Sequence, residues 1–326
     1  MAALMEVRAL ERTFGGGRTW LGREKPKLTA VRTLSLDLKR GETLGIVGES
    51  GCGKSTLARM LVGLDRPTAG SIRLDGEDLT QGGARALARR LQYVFQDPVS
   101  SLNPRMRIKA ILEAPMRHLL GYDAATRTAK LDELLEAVNL RPEFLERYPH
   151  EFSGGQAQRI AVARALAAEP EILVLDEPVS ALDVSVQAQV LNLLDRLKAE
   201  RDLTYVFISH DLAVVESVAT RVAVMYFGAL VEEGPTRPLF REPLHPYTRL
   251  LLDSAPVPGR RHIAAGQDSG ELPNPYAPPP GCAFAPRCPR AQADCTDRSP
   301  ALDMAERGAD HHAACFHPLP AAQSRG

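Results

Sequence analysis

A chain of 326 residues has room for one large domain and an appendage, and its 40 basic and 40 acidic side chains leave no basic excess of the kind a nucleic-acid binder carries. Hydrophobic residues make up 44% and charged residues 25%, the balance of a globular protein in water, and no stretch approaches the ~18 consecutive apolar residues of a membrane span. The N-terminus lacks the basic start and apolar core of a secretory signal, so a soluble, intracellular protein is expected, with any membrane attachment made through a partner.

In chain order, residues 5–10 and 31–38 alternate apolar and polar positions as strands do, with a basic, Gly-containing insert over residues 15–27 between them. A short apolar strand, residues 44–47, runs directly into Gly48, and a helix is predicted over residues 54–64. Further strands follow at residues 72–74 and 91–95. Residues 124–138 and 156–168 have helical apolar spacing, with Pro142, Pro149 and Pro170 as breaks. Strands return at residues 172–175, 205–209 and 221–226, and a helix over residues 184–201 sits between the first two. Strands alternating with helices imply a mostly parallel sheet, and the helical middle reads as an insertion. After about Ser254, prolines at 256, 258, 273, 275 and 278–280 argue against regular structure.

Two motifs carry chemistry on their own. Gly48-Glu49-Ser50-Gly51-Cys52-Gly53-Lys54-Ser55, followed by Thr56, fits the phosphate-binding pattern G-x-x-x-x-G-K-[ST] between a strand and a helix. The glycines let backbone N–H groups curl round an anion, and the helix start adds its positive dipole end. Lys54 is expected to reach the β- and γ-phosphates and Ser55 to place its hydroxyl on Mg²⁺. The apolar run 172–175 ends in two carboxylates: Asp176 to hold Mg²⁺, and Glu177 to face the attacking water as general base or polarising group. Cys52, inside the phosphate loop, fills a position open to any small residue and reads as structural.

Between these motifs stands Phe152-Ser153-Gly154-Gly155-Gln156, which resembles the signature of ATP-binding cassette (ABC) proteins, usually Leu-Ser-Gly-Gly-Gln. The resemblance extends to Gln96 as the Q-loop glutamine, a further Mg²⁺ contact. It takes in residues 180–183 as the D-loop, ending in Asp183, and His210 as the switch histidine that contacts the γ-phosphate. Phe14 is either the aromatic that stacks on adenine or a core residue. The implied fold is an α/β P-loop NTPase of the ABC nucleotide-binding type over residues 1–255, with a helical insertion at about residues 97–168 and a small cysteine-rich extension over residues 256–326. In such proteins Ser153, Gly154, Gly155 and Gln156 act on ATP held by a second subunit, so that ATP is sandwiched between two ATPases.

Three longer segments, residues 96–105, 243–251 and 281–295, resemble the oligopeptide/dipeptide/nickel importer ATPases, most closely the second of two different ATPase subunits. That implies a paralogous ATPase partner, two membrane permease subunits, a separate extracytoplasmic substrate-binding protein and a place on the cytoplasmic face of the inner membrane. The substrate class is short peptides, with nickel or another small solute as the alternative. A soluble ABC ATPase acting on nucleic acid is disfavoured by the single cassette and absent heptads. A decayed, non-catalytic subunit is disfavoured by intact Lys54, Glu177 and His210.

Cys282, Cys288, Cys295 and Cys315 are spaced C-x₅-C-x₆-C-x₁₉-C, and a reducing compartment disfavours disulfides among them. Four thiolates suit a [4Fe–4S] cluster and equally structural Zn²⁺, although zinc sites usually show tighter C-x₂₋₄-C pairs. The resemblance favours iron–sulfur. His311, His312 and His317, possible substitute ligands, are read as surface.

Overall fold

The computed structural model describes residues 3–16, 26–79, 84–254 and 273–320. Most of the basic insert, residues 17–25, lies outside them.

The chain opens with two long antiparallel strands, β1 (Ala3–Gly15) and β2 (Lys27–Lys39), both longer than their apolar cores predicted. Then come β3 (Thr43–Val47), α1 (Lys54–Leu61), β4 (Ala69–Leu74), β5 (Glu77–Asp78), α2 (Ala84–Arg90) and β6 (Leu91–Val94). A helical section follows: α3 (Ile108–Pro115), extended by a wide π turn over Met116–Leu120, then α4 (Ala124–Ala137) and α5 (Gly154–Leu166). The alternation resumes with β7 (Ile172–Asp176), α6 (Val184–Arg201), β8 (Thr204–Ile208), α7 (Leu212–Val218), β9 (Arg221–Tyr226), β10 (Ala229–Pro235), α8 (Thr236–Arg241) and α9 (Pro246–Ser254). The last segment adds α10 (Ala293–Asp297) and two minimal strands, β11 (Ala305–Glu306) and β12 (His312–Ala313).

Among the described residues the strands form two sheets. An antiparallel sheet has the order β2-β1-β4-β5, and a larger one has the order β11-β12-β10-β9-β3-β8-β7-β6. In the larger sheet β6, β7, β8, β3 and β9 are parallel. β3, β7 and β8 are buried at every position, which is why they read as continuous apolar runs rather than alternating ones. Their period of two still sorts the residues by face. Ile172, Val174, Val206 and Ile208 pack with α1 and the antiparallel sheet. Leu173, Leu175, Tyr205 and Phe207 pack with the helical section. Each such side chain, fully buried, contributes about 1.5–3 kcal/mol by leaving water.

Side-chain caps set the helix starts. Asp123, Ser153, Asp183 and Asp211 each accept a backbone N–H in the first turn of α4, α5, α6 and α7. Of the proline-rich stretch, residues 256–272 lie outside the described residues and residues 273–280 form no helix or strand; beyond it the cysteine-bearing tail joins the domain, with β12 paired to β10 and Phe284 buried in the main core. No helix among the described residues is long and apolar enough to cross a membrane.

Candidate functional site

The phosphate loop lies where β3 ends and α1 begins. A Cβ at Gly48 would stand 2.2 Å from the Met225 carbonyl oxygen, and one at Gly53 2.3 Å from that of Ala30, so close backbone packing and positive φ both demand glycine. Lys54 folds back over the loop and donates from Nζ to the Gly48 and Glu49 carbonyls at 2.7 and 2.9 Å. The Cys52 side chain is buried beneath the loop and its thiol pKa is raised by that burial, in keeping with a structural role.

The ends of β6, β7 and β8 bring the other polar groups to the same edge. Ser55 donates to Asp176 Oδ1 at 3.2 Å, and Tyr93 donates to Asp176 Oδ2 at 2.5 Å. Burial and the neighbouring Asp176 raise the Tyr93 pKa, keeping it a donor. One residue on, Glu177 sits in the left-handed region at φ 48, with its N–H donated to Ile208 O at 2.9 Å. Its carboxylate is held from both sides, by Gln96 Nε2 at 2.8 Å and by His210 Nδ1 at 3.1 Å. The Ser55 hydroxyl and the Asp176 carboxylate, set side by side, are the hard oxygen donors that Mg²⁺ prefers, so the residues present fit that ion.

These groups border a cavity of about 570 Å³, lined by Ser50, Gly51, Gly53, Lys54, Ser55 and Thr56 on one side and Gln96, Glu177 and His210 on the other. That size suits a nucleotide-sized ligand. Phe14 lines the far end, 36% exposed, with the Arg12 guanidinium 4.5 Å above its ring. Its exposure removes the reading as a core residue.

Ser153, Gly154, Gly155 and Gln156 do not line this cavity. Ser153 and Gln156 instead cap α5 reciprocally, Ser153 Oγ accepting the Gln156 N–H and Gln156 Oε1 accepting the Ser153 N–H. Asp183 likewise stands off the cavity, capping α6 with its carboxylate pKa lowered by Ser185 and backbone donors.

A second constellation lies in the C-terminal segment. Cys282, Cys288, Cys295 and Cys315 line one small pocket beside Phe284 and Phe316, and none is in a disulfide. Burial raises the thiol pKa values of Cys282 and Cys288 and pushes that of Cys315 up to about 11, with the neighbouring thiols adding to each. Four convergent thiols are the donor set a thiophilic metal centre would take as thiolates, so the residues fit such a group. Two histidines read as surface are not free. His317 Nε2 lies 2.8 Å from Asp294 Oδ1 beside Cys295, and His311 is buried against Glu232 at 2.7 Å. Sequence reasoning also missed Tyr93, Tyr247 and Arg287. Tyr247 OH accepts the Glu49 N–H, and Arg287 pairs with the Glu49 carboxylate. An aromatic in a strand reads as core, and no local pattern ties residues 247 and 287 to the phosphate loop.

This arrangement of phosphate loop, paired strand-end carboxylates, capped signature helix and strand-end histidine is that of the ABC ATPases. The ABC transporter family profile matches residues 31–180, and the profile of the oligopeptide/dipeptide transporter C-terminal region matches residues 231–295. The chain is 48% identical to the putative oligopeptide transport ATP-binding protein YkfD of Bacillus subtilis over 94% of this chain and 93% of that one. It is also 48% identical to the dipeptide transport ATP-binding protein DppF of Haemophilus influenzae, over 90% of each. A dimeric structure of the ATP-binding cassette MJ0796 in a post-hydrolysis state, bound to ADP and Pi, covers 72% of this chain with a TM-score of 0.62 at 28% identity. The chain therefore belongs to the ABC transporter family, as an ATP-binding subunit. Within that family it is of the oligopeptide/dipeptide transporter type.

Proposed function

We propose that this chain is the ATP-hydrolysing subunit of an importer of short peptides, working at the cytoplasmic face of the membrane beside permease subunits. It is an ATPase, converting ATP to ADP and phosphate. The observation that carries the chemistry is Glu177, held by Gln96 and His210 at the edge of the phosphate-loop cavity. The peptide assignment rests on the C-terminal region and on the relatives that share it.

In this reading the loop amides and Lys54 bind the phosphates, and Phe14 stacks on the adenine. Ser55, Asp176 and Gln96 would hold Mg²⁺, which when bound would neutralise charge on the transferred phosphoryl group. Glu177 orients the attacking water and takes up its proton, while Gln96 and His210 fix the carboxylate at both oxygens. Ser153 to Gln156 act on the nucleotide of a second ATPase, a paralogue, with Asp183 at the same interface. A separate extracytoplasmic protein delivers the peptide. The four cysteines hold a [4Fe–4S] cluster whose role is structural; a Zn²⁺ ion is the second reading, favoured by the Asp294, Cys295 and His317 ligand atoms lying within 4.8 Å of one another.

Affinity purification of this chain from membranes of its own cells tests the assignment. It is expected to bring down two permeases and a second ATPase, and its deletion to abolish uptake of labelled di- to pentapeptides. Intact peptide uptake in the deletion strain, with loss of a different solute, would replace the substrate class.

A further inference from the structure

Glu49 puts a carboxylate into the loop that receives the polyphosphate, where a free negative charge opposes binding. Its neighbours Ser50 and Gly51 line the nucleotide cavity, yet Glu49 does not. The residue that turns it away is Arg287, which donates from Nη1 to Glu49 Oε2 and from Nη2 to Oε1, both at 2.9 Å. The Arg287 side chain is 7% exposed and that of Glu49 26%, so this bidentate pair is shielded from water.

Arg287 is not held by the ATPase strands alone. It directly precedes Cys288, within a short turn where its N–H is donated to Phe284 O and that of Cys288 to Ala285 O. Phe284 packs against Tyr226 and Tyr247, each with ring centroids 5.4 Å away. Arg287 donates to Tyr226 OH at 3.3 Å, and Tyr247 OH accepts the Glu49 N–H at 2.9 Å. Glu49 is thus gripped at its backbone by Tyr247 of α9, which packs on Phe284, and at its carboxylate by Arg287 of the cysteine-bearing segment.

We propose that Arg287, 238 residues along the chain from Glu49, is a positioning residue for ATP binding, neutralising Glu49 and holding it off the phosphates, so that nucleotide affinity depends on the integrity of the cysteine site. The dependence runs through the turn between Cys282 and Cys288 and needs no contact between Arg287 and the nucleotide.

A double-mutant cycle on the full-length protein, read by binding of a fluorescent ATP analogue, tests this. Arg287→Met keeps the apolar stem and is expected to weaken the analogue about tenfold, with the loss falling on KM for ATP rather than on kcat. In a Glu49→Gln background the same change is expected to cost less than twofold, because no carboxylate remains to be held. Cys288→Ser is expected to follow the same rule, weakening the analogue only while Glu49 is present. Arg287→Lys, which keeps the charge and loses the fork, is expected to fall between Met and Arg and serves if the Met variant does not fold. Affinity within twofold of the parent in both Arg287 variants overturns the proposal. So does an equal loss with and without the Glu49 carboxylate.

Discussion

Asp176 owes its orientation to two hydroxyls, of which only Ser55 belongs to a recognisable motif. The other, Tyr93, sits in β6 and reads in sequence as one more apolar strand residue; its role emerges only when β6 pairs with β7 and sets the hydroxyl against the carboxylate. Tyr93→Phe leaves one oxygen of a buried carboxylate without its donor, a cost of about 1–3 kcal/mol. The Mg²⁺ concentration for half-maximal ATPase is expected to rise several-fold in a titration of the variant. An unchanged Mg²⁺ requirement would separate Tyr93 from the metal site. Glu177, by contrast, was legible directly from the Asp-Glu pair that ends an apolar run. What the sequence did not announce is its left-handed backbone, which costs about 1–3 kcal/mol in a residue other than glycine. That conformation lets the chain turn sharply at Glu177 so that its carboxylate meets both Gln96 and His210.

At the scale of elements, the fully buried strands β3, β7 and β8 and the capped helix α6 were legible because burial on both faces, or a side-chain cap, leaves a local signal. The missed elements lack one. β11 and β12 are two residues each and exist only by pairing onto β10. α3 carries Pro115 and passes into a π turn, which blurs its period. The start of helix α5 is fixed by two local features. Ser153 caps its own helix, and Gly155 has no room for a side chain, since a Cβ there would lie 2.4 Å from Val186 Cγ1. Ser153→Arg is therefore expected to lose about 1 kcal/mol of stability through the cap. It is also expected to abolish ATP-driven dimerisation, while ATP binding to the same subunit's phosphate loop persists. Calorimetric melting and size-exclusion chromatography with ATP measure the two effects. Loss of the subunit's own ATP binding in a folded variant would count against action across the subunit interface.

For the whole molecule, the sequence suggested an ATPase with an appended tail, and the structure shows how closely the two are joined. The last strands extend the central sheet, and Arg287 reaches the phosphate loop. The segment bearing the cysteines has little apolar surface of its own, so a bound metal centre would supply folding energy as it does in small domains. Protein purified without oxygen is expected to contain about four irons per chain and to absorb broadly near ~400 nm. Cys288→Ser is expected to lose both and to weaken assembly with the other subunits. About one zinc and no iron would put a zinc site in place of the cluster.

The central claim is that Glu177 drives hydrolysis in a complex that answers to peptide. Its most direct test is the ATPase rate of the full importer in vesicles, with and without peptide and its binding protein, for the natural chain and for Glu177→Gln. The rate is expected to rise with peptide in the natural complex, and to fall by roughly two or more orders of magnitude in the variant although it still binds ATP. A natural complex indifferent to peptide, or a Glu177→Gln complex that turns over near the natural rate, would contradict the account.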